Sequence, residues 1–342
     1  MNTPQPHKRA HARRRNLTAL SMLALTPLVL TACGEAVATK EKAEATHDVT
    51  ITNCGRELQF DAVPSAVVGL MPSQTELLLR LGVRENLVGQ AQVETSALPD
   101  DIAGQATDIP VLSTNMPPVR EDLLAVSPDF VVSPTEYEFT AEQGYASIQQ
   151  LSDNGAQAYV ATGGCADRRS TAEVADVFTD ITNLGEILNA SNEAGKLVQD
   201  AQARLDAVRT AIAGEKQPTV AQIYVDGKTI GAIGAGVEAD IIRQAGGENV
   251  FDPNAPEFAA FFAAEINPEE IIARNPDAII FGVSSPEQEQ QIRDYVTKTF
   301  PKVAAVKDNK LIAVPQSDLY PGTLGNVEAV ELIAQQLYPT AF

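Results

Sequence analysis

Short apolar runs alternate with segments of helical periodicity along most of the chain. Residues 66–70 form a mostly apolar run, which predicts a buried strand, and residues 75–81 repeat apolar positions at helical spacing until Gly82. The first half continues in the same way, with strands predicted at 87–89, 129–133 and 158–161 and helices predicted at 121–126 and 145–153. Strands that alternate with helices are typical of a parallel sheet with helices on both faces.

A long helical region from 170 to 213 separates the two halves of this pattern. Residues 189–191 interrupt it, and Ser191 is placed to cap a second helix that contains no proline. Either these are two ordinary surface helices, or the second is a rigid rod that joins two lobes. The second half repeats the alternation, with strands predicted at 219–225, 277–281 and 311–314 and helices predicted at 238–245, 268–274 and 327–337.

The pattern therefore predicts an α/β fold with two parallel-sheet lobes and flanking helices. The expected lobes are residues 48–190 and 215–342, and the expected linking helix covers 191–214. Each lobe would place its helices against both faces of its own sheet.

The first 32 residues have the pattern of a secretory signal peptide. Segment 1–32 carries five basic residues and no acidic one, and its apolar core at 17–30 is too short for a membrane span of about 20 residues. The run Leu30-Thr31-Ala32-Cys33-Gly34 resembles a bacterial lipobox, whose cysteine is acylated, with palmitate expected, and becomes the mature N-terminus. An ordinary signal peptide with a chance cysteine is the alternative, and both the Sec and the twin-arginine export routes stay open. Residues 33–47 are small and charged, which predicts a flexible tether.

Removal of the signal peptide leaves a strongly acidic chain. The formal net charge is −20 for the whole sequence, and loss of the five basic residues of segment 1–32 changes it to −25. This charge argues against nucleic acid as a partner and suits a soluble monomer. His47, in the predicted tether, is the one histidine that remains, and no Gly-x-Ser-x-Gly motif occurs. A Ser-His-Asp hydrolase and a direct metal site are therefore not expected.

Two cysteines remain once Cys33 is assigned to lipid. Cys54 and Cys165 lie in a chain predicted to reach an oxidising compartment, where two leftover thiols favour a disulfide. The bond would close a loop of about 110 residues, which chain-entropy arguments value at several kcal/mol at most. Two separate buried thiols are the alternative.

Four segments of the chain resemble the substrate-binding proteins of ABC importers for ferric siderophores, haem and cobalamin. They are the strand–helix opening at 72–82, the helix and Ser-Pro-Asp at 121–129, the paired segments 246–251 and 266–277, and the closing helix at 326–339. The resemblance covers residues 49–340. It implies a ligand cleft between two lobes, a lipid-anchored extracytoplasmic protein that is not an enzyme, no cofactor besides the bound ligand, and permease and ATPase partners.

In such a cleft, ligands contact the loops that follow the carboxyl ends of the strands. The ligand-binding residues predicted in these loops are Ser73, Gln74, Gln92, Tyr137, Arg168, Arg169, Tyr224, Phe258, Phe262 and Tyr320. The adjacent arginines suit an anionic ferric siderophore, because guanidinium groups recognise carboxylate and catecholate oxygens. A solvated pair at a helix start is the alternative for the arginines, and a place in the core is the alternative for the phenylalanines.

Other ligands and other functions account for parts of the same pattern. Cobalamin would need aromatic walls rather than the arginines, and haem would need an axial tyrosine such as Tyr137, Tyr224 or Tyr320. From other classes, the alternatives are a secreted hydrolase and a lipoprotein that only scaffolds partners.

Two glutamates are candidates for contact with the importer. Glu121 and Glu269 stand at equivalent places before Ser127-Pro128-Asp129 and Asn275-Pro276-Asp277. The resemblance implies that one glutamate in each lobe pairs with arginines of the permease. Simple charge stabilisation of a helix N-terminus is the alternative.

Overall fold

The computed structural model describes residues 47–227, 229–258 and 261–342 of the chain. The predicted signal peptide, the lipidation site Cys33 and the tether up to residue 46 lie outside the described residues. Across these described ranges, no helix is both long enough and apolar enough to span a membrane.

The first half of the described chain folds as strands that alternate with helices. Its elements are β1 (Val49–Asn53), β2 (Arg56–Phe60), β3 (Val67–Gly69), α1 (Pro72–Arg80), β4 (Leu87–Gln90), α2 (Asp100–Ala103), α3 (Arg120–Ala125), β5 (Phe130–Ser133), α4 (Ile148–Asp153), β6 (Gln157–Val160) and α5 (Asp176–Ile187). Strands β3 to β6 form a parallel sheet in the order β4-β3-β5-β6. Val67, Val68 and residues 130–132 are fully buried, which explains the continuous apolar runs of these strands in the sequence.

An antiparallel hairpin, β1 with β2, precedes this sheet and was not predicted from the sequence. Cys54 and Gly55 at its turn both have positive φ, 47° and 68°. Two-residue turns of this kind match the twist of paired strands. Burial is limited to one face of the hairpin, through Ile51, Leu58 and Phe60. Its apolar pattern is therefore short and easily missed.

A long helix leads from the first sheet to the second. Helix α6 spans Ser191–Ala211, which is about 30 Å at 1.5 Å per residue. It packs closely on α5, where Gly185 lies against Ala194 of α6. The contact leaves no room for a larger residue, since a Cβ added at Gly185 would lie 2.4 Å from the Cβ of Ala194. The guanidinium of Arg204 in α6 donates through Nε to Glu331 near the C-terminus at 2.9 Å. The helix predicted over 191–214 corresponds to this element, which ends at Ala211.

The second half supplies a larger sheet. Its elements are β7 (Thr219–Asp226), β8 (Thr229–Ile233), α7 (Gly236–Gln244), β9 (Glu248–Asn249), β10 (Ala263–Glu265), α8 (Pro268–Arg274), β11 (Ala278–Val283), α9 (Pro286–Thr299), α10 (Ala304–Lys307), β12 (Leu311–Pro315) and α11 (Gly325–Leu337). The strand order is β10-β8-β7-β11-β12, and β9 pairs with β7.

This second sheet corrects the expectation of two wholly parallel sheets. Strands β7, β11 and β12 are parallel, whereas β8 is antiparallel to both β7 and β10. Asp226 pairs with Thr229, and Gly227 between them has a φ of 58°, so the chain reverses there instead of crossing over through a helix. Helix α9 was also missed, because only Ile292 and Val296 of its residues are buried.

One hydrophobic core runs through both lobes. It includes Val67 and Phe130 of the first sheet, Val220 and Ile280 of the second, and Val330 of α11. The described residues accordingly fall within one compact unit. We therefore treat the two lobes as two sheets that share a core.

Cys54 and Cys165 form a disulfide, which confirms the predicted pairing. Their Cα atoms are 5.3 Å apart, and the bond joins positions separated by 111 residues. The side chain of Asn53, beside the hairpin turn, donates to the Val160 carbonyl at 2.7 Å and accepts from the Val160 amide at 2.9 Å. These hydrogen bonds, one from Arg56 to the Ala158 carbonyl and the disulfide to the segment after β6 hold the hairpin against this edge of the first sheet.

Replacing both cysteines, Cys54→Ala with Cys165→Ala, should lower the free energy of unfolding by about 2–5 kcal/mol, because the unfolded chain regains the entropy of a long open loop. Urea denaturation of the unlipidated mature chain, residues 34–342, measures this loss. A reductant should destabilise the wild-type chain and leave the double variant unaffected. An unchanged urea midpoint in the double variant would contradict a stabilising role for the bond.

Candidate functional site

Three cavities lie along the carboxyl end of β12, and Gln316 lines all of them. We name them the arginine cavity (≈ 80 Å³), the aromatic cavity (≈ 260 Å³) and the outer cavity (≈ 480 Å³). The arginine cavity is lined by Gly163, Arg169, Val237, Glu238, Phe262, Gln316, Leu319, Tyr320 and Pro321. The aromatic cavity is lined by Ile223, Tyr224, Ile233, Glu238, Phe261, Phe262, Ala263, Gly282 and Gln316. The outer cavity is lined by residues 95–100, 283–284 and 315–318 and by Glu328.

The aromatic cavity presents an apolar wall to the solvent. Tyr224 is 39% exposed, and its ring lies over Gly231 on the neighbouring strand, where an added Cβ would be 2.0 Å from the ring. Phe261 and Phe262 complete the wall with ring centroids 4.3 Å apart. Exposed aromatic surface in a concave site is characteristic of small-molecule binding.

Arg169 joins this wall to the arginine cavity. Its guanidinium carbon lies 5.3 Å from the ring centroids of both Phe261 and Phe262, which is a cation–π arrangement. Among the described residues, no carboxylate forms a salt bridge with it. The Arg169 backbone contacts the start of α7 at Gly236, which has a φ of 70°. A Cβ added at Gly236 would lie only 2.7 Å from the Arg169 carbonyl oxygen. The charged donors of Arg169 are therefore held in the cavity wall.

Glu238 in the first turn of α7 lines both the arginine and the aromatic cavity. It is buried, and its carboxylate accepts a hydrogen bond from the side-chain amide of Gln222 on β7. Burial raises the pKa of Glu238 to about 8, and the positive charge of Arg169 and the Gln222 hydrogen bond oppose this increase. The buried position of Glu238 was not predicted, because a glutamate in a first helical turn is ordinary.

The chain matches the family model of the periplasmic binding proteins over residues 67–317. The chain belongs to the periplasmic binding protein family. As a member of this family it is the substrate-binding component of an ABC importer and not an enzyme. The resemblance recognised in the sequence is thereby confirmed.

Two relatives and one solved structure illustrate this kinship. This periplasmic binding protein is 24% identical over 333 residues to the uncharacterized ABC transporter substrate-binding lipoprotein YvrC of Bacillus subtilis, covering 94% of this chain and 96% of YvrC. It is 26% identical over 236 residues to a cobalamin-binding protein of Halobacterium salinarum, covering 67% of this chain and 56% of that protein. Its fold matches a crystal structure of an ABC-type Fe3+-hydroxamate transport system from Saccharomonospora viridis with a TM-score of 0.68 and 22% identity, covering 84% and 98% of the two chains.

The two adjacent arginines of this periplasmic binding protein have different environments. The guanidinium of Arg168 donates to both carboxylate oxygens of Asp176, at 3.2 and 2.8 Å, and this hydrogen bonding raises its pKa. Arg168 is not among the residues that line the three cavities. The predicted arginine pair is therefore split, and Arg169 alone faces the cleft.

The three predicted polar residues of the first lobe are buried. Gln74 donates to the Gly322 carbonyl at 3.0 Å, and Gln92 donates to the Leu70 carbonyl at 2.7 Å. We correct the prediction for these two residues, because their amides hold the protein together instead of facing a ligand. Ser73 lines a fourth, smaller cavity of ≈ 50 Å³, which shares residues 96–99 with the outer cavity.

The remaining aromatic candidates divide between the surface, the core and the cleft. Tyr137 is 43% exposed, and its ring packs edge-on against Tyr145 at 5.8 Å. The hydrogen bond between the two hydroxyls raises the pKa of Tyr145 to about 12. Phe258 is 1% exposed and packs on Phe251, so its predicted place in the cleft is corrected to the core. Tyr320 lines the arginine cavity, and burial raises its pKa.

Glu121 and Glu269 are both exposed in the first turns of α3 and α8. A hydrogen bond from Arg120 lowers the pKa of Glu121, which keeps this side chain charged. Their positions leave both carboxylates accessible to another protein.

Within residues 47–227, 229–258 and 261–342, no group of three or more histidine, cysteine, aspartate or glutamate side chains is arranged to hold a metal ion. Two cleft residues were not singled out in the sequence, namely Glu238 and Gln316. The place of Gln316 directly after a parallel strand was the available signal for it.

Proposed function

We propose that this binding protein captures a ferric siderophore with anionic iron-binding groups and delivers it to its ABC importer. The observation that carries this proposal is the guanidinium of Arg169, which lies over two phenylalanine rings in the cavity wall. Partly desolvated guanidinium groups bind carboxylate and catecholate oxygens strongly, and the rings supply surface for the apolar parts of the ligand.

The size of the cleft supports a ligand of this class. Small-molecule sites usually enclose about 300–1,000 Å³. The outer cavity of ≈ 480 Å³ and the aromatic cavity of ≈ 260 Å³ meet at Gln316, so one ligand of siderophore size can contact both. The similarity in fold to the Fe3+-hydroxamate transport structure supports only the broader class, a ferric siderophore.

Cobalamin is the second candidate ligand. The wall of Tyr224, Phe261 and Phe262 offers an aromatic surface to a large, largely uncharged ring system, and one relative is a cobalamin-binding protein. Haem is a third possibility, for which Tyr224 and Tyr320 are the tyrosines that line the cavities and Tyr137 is the exposed one. A titration against all three ligand classes distinguishes these candidates.

Arg169→Ala should weaken the binding of trianionic ferric enterobactin by about ten- to hundredfold, because a charge-assisted hydrogen bond is worth about 1.5–3 kcal/mol. Calorimetric titration of residues 34–342 measures the affinity. Arg274→Ala is the matched control, since Arg274 also lies over a phenylalanine ring, at 5.0 Å from Phe251, but does not line the cavities. Equal affinities of Arg169→Ala and wild type would contradict the arginine contact, and tight binding of cobalamin or haem alone would exclude the siderophore.

We also propose that the protein is anchored to the outer face of the cell membrane by lipid on Cys33. The lipobox resemblance and the lipoprotein relative support this. Mass spectrometry should find an acylated Cys33 at the mature N-terminus, and Cys33→Ala should move the protein from the membrane to the soluble fraction. A Cys33→Ala protein that stays in the membrane fraction would show that its attachment does not depend on lipid at Cys33.

Glu121 and Glu269 are proposed to dock the loaded protein on arginines of the permease. Both are exposed and lie one in each lobe. Changing both to lysine should abolish growth of cells that depend on the ligand for iron, while affinity for the ligand stays unchanged. The matched control is Glu287→Lys, an exposed glutamate in the first turn of α9. Normal growth of the double variant would exclude docking through these residues.

A further inference from the structure

Glu238 is a buried acid at the point where the arginine cavity and the aromatic cavity meet. Across the arginine cavity it faces Arg169, whose charge acts on it. From β7 it faces Gln222 and Tyr224, and from the segment after β12 it faces Tyr320. Arg169 is the cation of this group, because the other members are an amide and two phenols.

The other charges nearby have partners of their own. Asp240, also on α7, accepts from Arg243 and from the Val174 amide. Arg168 is bound to Asp176. The negative charge of Glu138, in the first lobe, contributes to the raised pKa of Tyr320. The Glu138 carboxylate itself accepts hydrogen bonds from the Ser133 and Thr135 hydroxyls. The charge of the arginine cavity therefore depends on Arg169 and on the protonation state of Glu238.

The arginine cavity has room for one chemical group of a ligand and not for a whole ligand. Its volume is ≈ 80 Å³, against about 10–15 Å³ for a single water by a similar measure. Gln222, which is 1% exposed, has a side-chain oxygen without a hydrogen-bond partner among the described residues, directly beside Glu238. When Glu238 is protonated, its hydroxyl is a hydrogen-bond donor. A flip of the Gln222 amide, which exchanges its oxygen and nitrogen, would let the oxygen accept this hydrogen bond. Gln222 is therefore able to pair with Glu238 in its neutral form as well as in its ionised form.

We propose that Glu238 is a specificity residue that selects the charge of the ligand group entering the arginine cavity. When neutral, Glu238 leaves Arg169 as an uncompensated cation, which favours a carboxylate or catecholate oxygen. When ionised, it neutralises Arg169 and repels the same group. The inference rests on the proposed function, because it concerns how an anionic ligand is bound at that site.

Proton uptake on binding follows from this arrangement. An anionic group beside Arg169 also lies beside Glu238, so it favours the protonated acid. Burial already places the pKa of Glu238 at about 8, which is where a ligand anion has most effect on its charge. By linkage, affinity for an anionic ligand is nearly constant below about pH 8 and falls by up to tenfold per pH unit above it.

The test is a calorimetric titration of residues 34–342 with trianionic ferric enterobactin from about pH 6 to 9.5, in buffers of different ionisation enthalpy. We expect proton uptake to rise from none well below pH 8 to as much as one proton above it, and we expect Glu238→Gln to take up none and to keep its affinity at high pH. Glu287→Gln is the control for loss of a carboxylate elsewhere. Neutral ferrichrome and cyanocobalamin are the control ligands, whose affinity should not follow this pH dependence.

A ligand-free measurement accompanies the titration. The pKa of Glu238 is higher in the folded protein than in the unfolded chain, at about 4.3 there. The folded state therefore holds its proton more tightly, so stability from this group is present at low pH and is lost as pH rises to about 8. Relative to Glu238→Gln, the unfolding constant of the wild type should increase by up to tenfold per pH unit between about pH 5 and 8, and then level off.

The outcomes separate the inference from the proposed function. Binding of ferric enterobactin with the same pH profile in wild type and Glu238→Gln overturns the inference and leaves the siderophore function standing. The absence of a pH-dependent difference in stability between the two proteins also overturns it. If no ferric complex binds but haem does, the siderophore function fails, and the propionates of haem become the anionic probe for the same comparison. Failure of every anionic ligand to bind overturns both.

Discussion

The cleft depends on close contacts between the two lobes, and one of them is at Gly322. This residue has a φ of 69°, and a Cβ built on it would lie 2.2 Å from the Cβ of Ala161. Its carbonyl accepts from Gln74. Segment 316–321 ends at this contact, so the positions of Gln316 and Tyr320 in the cavities follow from it. On the facing side, buried Asp180 accepts from the amide and hydroxyl of Thr162 and so fixes the loop that carries Gly163.

The cleft contains a half-buried cation, Arg169, in a protein whose net charge is strongly negative. Adjacent arginines occupy opposite environments, since Arg168 is neutralised by Asp176 while Arg169 rests on phenylalanine rings. Ring faces hold a guanidinium in place without neutralising it. Glu238 lines the arginine cavity together with Arg169, and its burial favours the uncharged form. The cavity therefore keeps its positive charge near neutral pH, and we expect this charge to select the ligand.

Much of the fold was predictable from the sequence, because strands buried on both faces, such as β5 and β11, appear as continuous apolar runs. The hairpin β1–β2 and helix α9 bury one narrow face each, so their patterns were too weak to detect. The site was less predictable. Sequence places Arg168 and Arg169 side by side, but only packing on Asp176 and on Phe262 separates their roles. Burial raises the pKa of Glu238, and no local sequence pattern indicates that this glutamate is buried.

The most direct test of the account is the position of the iron. Crystals of residues 34–342 grown with ferric enterobactin allow the iron to be located by its anomalous scattering. The account predicts an iron peak in the cleft bordered by Arg169, Tyr224 and Gln316, with oxygen atoms of the ligand within hydrogen-bonding distance of the Arg169 guanidinium. An iron peak outside these three cavities, or a bound complex that leaves Arg169 without contact, would contradict it.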